Sequence, residues 1–202
     1  MNLNVSAMQT LIIVIITVII SLIAFQNKGL QDKLIFYPPA VNAGGWHRFI
    51  THGFIHADGM HLFFNMFVLY SFGQVVEKLF GIWFTPMYLI AIVVAMIPSY
   101  LSHKNDPRYR SLGASGGVSA VLFAYILVFP WNMLYFFGIV PIPAIIFAIL
   151  YVAYSVYANK KGNSNINHSA HLWGGAFGVL AVLALNPAAL PHFFTQLMNP
   201  SF

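Results

Sequence analysis

Apolar runs long enough to cross a lipid bilayer recur along the whole chain, and they constrain its fold more than any other feature. They lie at about Met8 to Phe25, Leu62 to Phe80, Trp83 to Tyr100, Gly113 to Phe129, Gly138 to Tyr157 and Ala170 to Leu185. A helix needs roughly 20 apolar residues to span the hydrocarbon core, where backbone polar groups must be bonded within the protein. These runs predict an all-α, polytopic membrane protein with six transmembrane helices.

The composition agrees with this class of fold. Of the 202 residues, 59% are hydrophobic and only 6% are charged, against roughly 25% charged in ordinary soluble domains. The spans and their connections use almost the whole chain, so we expect a single domain over residues 1–202. The nine Lys and Arg residues are scattered singly, which argues against nucleic-acid binding. The absence of cysteine excludes disulfides and thiolate chemistry.

Less apolar segments lie next to the spans. The first run has neither a basic segment before it nor a small-residue cleavage pattern after it, so we interpret it as a retained helix. The segment from Gln26 to Gly59 is too polar to span but rich in aromatic residues. Because aromatic rings favour the membrane interface, we expect an interfacial loop between helices 1 and 2. The uncharged tail from Pro187 to Phe202 could rest on the opposite interface, and we assign it no function.

Chemically versatile side chains stand at the starts of alternate spans. His61 and Asn65 open the second span, Ser115 opens the fourth and His171 opens the sixth. Alternate spans begin on the same side of the membrane, so we expect these four residues to lie at similar depth.

Ser115 occupies the first turn of the fourth span, in the run Gly113-Ala114-Ser115-Gly116-Gly117. The N–H groups of a first turn have no partner within the helix, and they lie at the positive end of the helix dipole. Both features suit the oxyanion that develops during acyl transfer. Taken alone, a glycine-flanked serine in a membrane helix is more often a packing residue.

Small residues recur at four-residue spacing in the fourth and sixth spans. They are Gly116, Ala120 and Ala124 in the fourth span, and Ala170, Gly174 and Gly178 in the sixth. Such rows predict a close helix pair. This pairing would bring His171 within hydrogen-bond reach of Ser115, whose proton it could accept. The plainer interpretation of His171 alone is a satisfied interface histidine.

His61 and Asn65 are four residues apart and therefore project from one face of the second span. Both can donate hydrogen bonds, and buried polar side chains in lipid need protein partners or a water-filled cavity. Their convergence with Ser115 indicates a hydrated pocket in which these two side chains stabilise an oxyanion. Asn65 could instead simply cross-link helices.

Three ordered motifs between residues 46 and 178 resemble the rhomboid family of intramembrane serine proteases. The first motif contains Trp46, Arg48, His52, His56, His61 and Asn65, the second is Gly113-Ala114-Ser115-Gly116, and the third is Ala170-His171 followed by Gly174 and Gly178. Any one of these motifs would be weak evidence, whereas three in the expected order are strong.

The resemblance implies a six-helix bundle that cleaves membrane-anchored protein substrates within a water-filled cavity of the bilayer. It implies a catalytic dyad of Ser115 and His171 without an acidic third member. It also implies that His61, Asn65 and the Ser115 main-chain N–H hold the oxyanion, with no cofactor and no metal. The implied location is a bacterial inner membrane, with the active site on the extracytoplasmic side. Substrate identity and oligomeric state stay open.

Two positions depart from the family pattern. One turn after the nucleophile, many relatives carry a tyrosine that stacks on the catalytic histidine, but this chain has Ser119. The stacking support is therefore missing or comes from elsewhere, with Phe123 and Trp173 as candidates. His168 stands three residues before His171, where some relatives have asparagine.

Charge and resemblance disagree about the membrane orientation. Eight of the nine Lys and Arg residues fall on the predicted face of Ser115, and only Lys78 falls on the other. The positive-inside rule would place the Ser115 face in the cytoplasm. The resemblance implies that it faces outward, and we adopt that orientation because Arg48 belongs to the first motif.

Three rival functions are weighed against the protease. A zinc site at His52, His56 and His61 is disfavoured because no HExxH pattern occurs and the acids do not cluster there. A non-catalytic rhomboid-like protein would bind membrane clients without cleaving them, but inactive relatives typically lack the serine or the histidine. A small transporter would need a solute site deep in the bilayer, and the spans show no clear inverted repeat.

Overall fold

The computed structural model describes residues 8–136, 139–162 and 166–200, and these ranges are almost entirely helical. The α-helices are α1 (Met8–Gln26), α2 (Lys28–Leu34), α3 (Pro38–Asn42), α4 (Arg48–Thr51), α5 (Gly59–Phe80), α6 (Phe84–His103), α7 (Ser115–Val128), α8 (Ala144–Lys161), α9 (His168–Leu185) and α10 (Ala189–Met198). A short antiparallel hairpin, β1 (Met133–Phe136) and β2 (Val140–Pro143), lies between α7 and α8. The predicted fold class, an all-α polytopic membrane bundle, is confirmed.

The long helices α1, α5, α6, α7, α8 and α9 coincide with the six apolar runs. Within the described residues, three helical stretches are long and apolar enough to cross a membrane: Met8–Gln26, Gly59–His103 and His168–Leu185. The middle stretch combines α5 and α6 across the tight turn Gly81–Trp83. Helix α7 is apolar but shorter. The number of spans, six, therefore stays a prediction.

The fifth apolar run folds differently at its beginning. Its expected start, Gly138, lies outside the described residues, and Val140–Pro143 is a strand where we expected helix. Pro141 and Pro143 explain this, because proline lacks the N–H that a helix interior requires and disfavours helical backbone in the preceding residue. Helix α8 starts directly after Pro143 and ends at Lys161, and the next residue, Gly162, has a φ of +69°, the left-handed conformation typical of a C-terminal cap.

Helix α7 stands at the centre of the bundle. It packs against α5, α6 and α9, and most of its side chains are buried, including Val118, Val121 and Leu122. Its surface is apolar all round, which is typical of a helix with no solvent-facing side. By contrast, α1 presents exposed apolar side chains along its outer face, among them Leu11 and Ile15, where we expect lipid.

The segment between α1 and α5 forms a compact cap over one end of α6. Phe36 is fully buried beneath Phe49 and Tyr100. The backbone of Phe36 exchanges two hydrogen bonds with Ser111, at 3.0 and 3.1 Å, in the loop that leads to α7. Arg48 donates to the carbonyls of Asp32 and Ile35. This cap therefore fixes the loop that precedes Ser115.

The described part of the tail is helical at α10 and packs back onto the bundle. The indole N–H of Trp131 donates to the carbonyl of Gln196 at 2.8 Å. This contact joins the α7–β1 connection to the tail on the side away from Ser115. Residues 201 and 202 lie outside the described part.

Candidate active site

Three helix starts meet at one end of the bundle. Helices α5, α7 and α9 begin at Gly59, Ser115 and His168, and the loops before them are in direct contact. The N–H of Gly113 donates to the carbonyl of His52 at 2.9 Å. The carboxylate of Asp58 accepts the N–H of His61 at 2.8 Å and fixes the start of α5. The four predicted site residues therefore belong to the same end of the molecule.

Gly113 makes the sharp approach to α7 possible. Its φ is +119°, a conformation that residues with a side chain rarely adopt. A Cβ atom at this position would lie 2.6 Å from Cε1 of His61, so the imidazole ring rests on the glycine backbone. This contact places His61 beside Gly113, two residues before Ser115 in the loop that leads to α7.

His56 holds the next residue of this loop. Its Nε2 accepts the N–H of Ala114 at 3.3 Å, so the ring proton must be on Nδ1, which donates to the Ser21 hydroxyl at 3.0 Å. The Ser21 hydroxyl in turn donates to the carbonyl of Phe54 at 3.0 Å. Burial, with a smaller contribution from His61, lowers the pKa of His56 to about 3. The ring is therefore neutral at ordinary pH and can act as this acceptor.

Ser115 is the first residue of α7, directly after this anchored loop. The residue before it, Ala114, has no side chain that can cap the helix, so in the described part of the chain the first-turn N–H groups of Ser115, Gly116 and Gly117 stay available to an acceptor. Ser115 is partly exposed, whereas the residues around it are buried. The position combines an accessible hydroxyl with free main-chain donors.

Helices α7 and α9 touch backbone to backbone. A Cβ atom on Gly174 would lie 2.1 Å from the carbonyl oxygen of Gly116, and one on Gly178 would lie 2.0 Å from that of Ala120. No larger residue fits at either position without moving a helix. The close pair predicted from the small-residue rows is confirmed, and it brings the first turns of α7 and α9 together.

His171 lies in the first turn of α9, three residues before Gly174. Its ring is nearly parallel to that of Tyr151, with a centroid distance of 6.0 Å and an interplanar angle of 18°. The ring of His168 meets it edge-on at 5.9 Å. Among the described residues no hydrogen bond joins His171 to Ser115, so the dyad stays a prediction.

The support for His171 comes from a residue that the sequence did not indicate. Phe123 and Trp173 were the candidates, but Trp173 is exposed and Phe123 packs on Gly175, behind Tyr151. Tyr151 reaches in from α8 instead, and its hydroxyl lies 3.1 Å from that of Ser119. The small side chain at position 119 leaves the space that the tyrosine ring occupies. No motif marks Tyr151 in the sequence. The only signal was the small residue at position 119, where many relatives have a tyrosine.

Asn65 lies one turn after His61 in α5 and is buried. Its amide nitrogen donates to the carbonyl of His61 at 2.8 Å, which uses one of its two N–H groups. The His61 ring meets the His56 ring edge-on at 4.9 Å. The structure thus keeps His61 and Asn65 on one face at the Ser115 end, while their predicted oxyanion role stays a prediction.

Asn167 fixes the start of α9 and was missed by the sequence analysis. Its side-chain oxygen accepts the N–H of Ala170 at 3.0 Å, and its nitrogen donates to the Ser99 hydroxyl at 2.9 Å and the Tyr109 hydroxyl at 3.0 Å. An asparagine immediately before an apolar run is a known helix-capping signal and could have revealed it. It ties the His171 turn to α6 and to the loop before α7.

Among the described residues, no group of three or more His, Cys, Asp or Glu side chains is placed to hold a metal ion. The acids at this end, Asp32, Asp58 and Asp106, make contacts within their own segments or with a neighbouring backbone. The groups that the described residues place around Ser115 are hydroxyl, imidazole and amide side chains and main-chain N–H groups.

Comparison with known proteins adds an independent finding. The family model described as "Rhomboid domain" matches residues 43–188. The mitochondrial RHOMBOID-like protein 12 of Arabidopsis thaliana is 30% identical over 173 residues, which cover 78% of this chain and 52% of that protein. The Rhomboid protease GluP of Bacillus subtilis (strain 168) is 31% identical over 157 residues, covering 77% of this chain and 29% of that protein. The match thus spans about half, or less, of these relatives.

Proposed function

The chain belongs to the rhomboid family, and from that premise we propose that it is a serine endopeptidase that cleaves membrane-anchored proteins within the bilayer. Family relatives named as proteases indicate an intramembrane-protease type of function. The finer assignment, a Ser115 and His171 dyad, is the proposal. One observation carries it: the backbone contact between α7 and α9 leaves room for no side chain, so it brings the turns that bear Ser115 and His171 side by side.

The proposed reaction begins with proton transfer. The Ser115 hydroxyl attacks the carbonyl carbon of the scissile peptide, and His171 accepts its proton. Serine alone is a poor nucleophile at neutral pH, which is why a neighbouring imidazole is needed. Because no hydrogen bond joins them in the described structure, the proposal requires the two side chains to come into contact when substrate binds. Catalytic hydrogen bonds are often long before substrate binds.

The negative charge that develops on the carbonyl oxygen falls where donors are available. We propose that the Ser115 main-chain N–H, the His61 ring and the second N–H of Asn65 stabilise it. His171 then returns its proton to the leaving amine, and the acyl enzyme forms. Water, activated by the same imidazole, hydrolyses the ester between the substrate and Ser115, so the enzyme is regenerated with no external co-reactant.

The protein is an integral membrane protein, and its compartment is part of the proposal. We place it in a bacterial inner membrane with the Ser115 end on the extracytoplasmic side. Relatives named for the mitochondrion and the chloroplast carry the same kind of domain in other membranes. We expect the substrates to be transmembrane helices with small residues at the cut and an end that unwinds easily. The oligomeric state is left open.

The test is cleavage of a panel of transmembrane segments by the full chain in liposomes, with product masses measured. We expect cleavage by the unmodified protein and none by Ser115→Ala. Ser71→Ala is the matched control, because Ser71 is exposed on α5 and donates only to the Phe67 carbonyl. A fluorophosphonate probe should label Ser115 and should fail to label His171→Ala. Equal cleavage by Ser115→Ala would reject the proposal, and binding without turnover would favour a client-escort protein.

A further inference from the structure

Tyr151 connects three helices at the candidate active site. It lies on α8, its ring runs nearly parallel to that of His171 on α9, and its hydroxyl meets that of Ser119 on α7, one turn after Ser115. Phe147 packs against the same tyrosine ring at a centroid distance of 5.7 Å. The ring is thus held by a hydrogen bond at its tip and by an aromatic neighbour.

His171 needs such a contact because no carboxylate orients it. In serine hydrolases with a triad, an acid bonds the second ring nitrogen and holds the imidazole in place. Of the four acids in this chain, Glu77 binds the start of α1, Asp32 lies in α2, Asp58 caps α5 and Asp106 lies in the loop before α7. No hydrogen bond orients the His171 ring within the described residues. The contacts that define its plane are therefore those with Tyr151 and His168.

We infer that Tyr151 is a positioning residue for His171, with Ser119 fixing the tyrosine ring, an assignment that rests on the proposed protease function. Aromatic pairs prefer defined offsets and angles, so a fixed ring narrows the range of imidazole orientations. A base that is held in line with the nucleophile raises the rate of the chemical step without changing how substrate binds.

Tyr151 brings a third helix, α8, into the support of His171. Helix α8 is less enclosed than α7, and Ile149, Leu150 and Tyr154 are exposed on it. The orientation of the base therefore depends on α8 being docked, and not only on the α7 and α9 pair.

Active-site titration with a fluorophosphonate, followed by kcat and KM measurements, separates positioning from folding. We expect Tyr151→Leu, which keeps apolar bulk but removes the planar ring, to lower kcat per titrated site by roughly 10- to 100-fold with KM nearly unchanged. Tyr157→Leu is the matched control, because Tyr157 is exposed on the same helix. A purely structural role would reduce the number of titratable sites and the melting temperature, but not kcat per site.

A double-mutant cycle tests the role of Ser119. Tyr151→Phe and Ser119→Ala each remove the same hydrogen bond, so each should lower kcat by about 2- to 5-fold, and the double variant should be no slower than either. Multiplicative losses would mean that the two side chains act separately, which would overturn the Ser119 part of the inference. Even if Tyr151→Leu does not fold, this cycle still tests whether the Ser119 and Tyr151 side chains act together.

Moving the tyrosine from position 151 on α8 to position 119 on α7 gives a gain-of-function test. Because the Ser119 side chain meets the Tyr151 hydroxyl, a tyrosine at position 119 would extend into the space that the ring leaves. The double variant Ser119→Tyr with Tyr151→Ser should recover at least 5-fold in kcat over Tyr151→Ser alone. If Tyr151→Leu leaves kcat unchanged and Ser115→Ala abolishes cleavage, the inference about Tyr151 is wrong and the protease proposal stands. If Ser115→Ala retains cleavage, the protease proposal itself fails.

Discussion

Glu77 at one end of the bundle and the pair Ser115 and His171 at the other end differ in their hydrogen bonding. At the end away from Ser115, Glu77 accepts the N–H groups of Gln9 and Thr10 at 3.0 and 2.8 Å and the Thr10 hydroxyl at 2.7 Å. Gln9 donates to the Gly81 carbonyl and accepts twice from Thr85. At the other end, the Ser115 hydroxyl and the His171 ring have no hydrogen-bond partner among the described residues.

This difference separates structure from chemistry. Inside a membrane, a polar group is stable only when it is bonded to protein or water. Glu77 satisfies three donors at the start of α1 and so fastens that helix to α5. The Ser115 hydroxyl and the His171 ring make no such bond within the described residues, so they remain available for water and substrate. We therefore expect the Glu77 end to control stability and the Ser115 end to control activity.

The largest expected effect is on activity alone. His171→Ala should lower kcat by about 10³-fold or more, since the serine loses its base. The melting temperature should stay within a few degrees of that of the unmodified protein, because His171 makes no hydrogen bond in the described structure. Cleavage assays and thermal unfolding in the same detergent check both parts. A large loss of stability would contradict the contrast between the two ends.

Gly174→Ala should affect both activity and stability, because it separates the two halves of the site. The added methyl group would lie 2.1 Å from the Gly116 carbonyl oxygen, so α9 must shift away from α7. We expect a loss of about 3 kcal/mol in the free energy of unfolding, together with a loss of cleavage. Gly59→Ala is the control, because a Cβ atom there meets nothing within 4 Å. Equal stability of the two variants would argue against the close packing of α7 and α9.

Glu77→Gln should affect stability alone. The amide is similar in shape but loses the charge that strengthens its bonds to Gln9 and Thr10, so we expect a loss of about 2 kcal/mol. Cleavage per titrated active site should not change. Lys78→Ala, at the exposed neighbouring position, is the control for a change of charge. A drop in kcat per site would show that the two ends are coupled.

The smallest effect concerns pH and His56. The folded state keeps this ring neutral, with a pKa lowered to about 3, whereas the unfolded chain takes up a proton near the ordinary value of 6.5. The stabilising contribution is therefore complete above pH 6.5 and is lost as the pH falls toward 3. Between pH 7.5 and 5 we expect a loss of roughly 1–2 kcal/mol.

His56→Gln should flatten this part of the pH profile, as measured by thermal unfolding at a series of pH values. His47→Gln, at an exposed position, should leave the profile unchanged. Identical profiles for His56→Gln and the unmodified protein would show that His56 does not carry the effect.

The sequence predicted the positions of the long helices better than it predicted which face of each helix meets which neighbour. Apolar runs located all the long helices, because bilayer thickness and backbone bonding leave few alternatives. Small-residue rows predicted the α7 and α9 contact at Gly174 and Gly178. The β1–β2 hairpin was missed, although Pro141 and Pro143 signalled a late helix start.

The residues that support the site were harder to predict. A helix that is apolar all round gives no periodic signal of which face meets which neighbour. Nothing in the run from Ala144 to Lys161 therefore distinguished Tyr151 from Tyr154 or Tyr157. Asn167 was detectable as a cap, but its bonds to Ser99 and Tyr109 depend on loops whose paths the sequence does not specify.

The central position of α7 has a consequence for how the chain is made. Its 14 residues extend only about 21 Å, less than the roughly 30 Å of hydrocarbon that a membrane presents. During synthesis α7 reaches the bilayer before α9 exists, so the backbone face at Gly116 and Ala120 has no covering partner for that time. The core closes only after α9 has emerged from the ribosome. A nascent protein truncated before α9 should therefore be a substrate for membrane quality control.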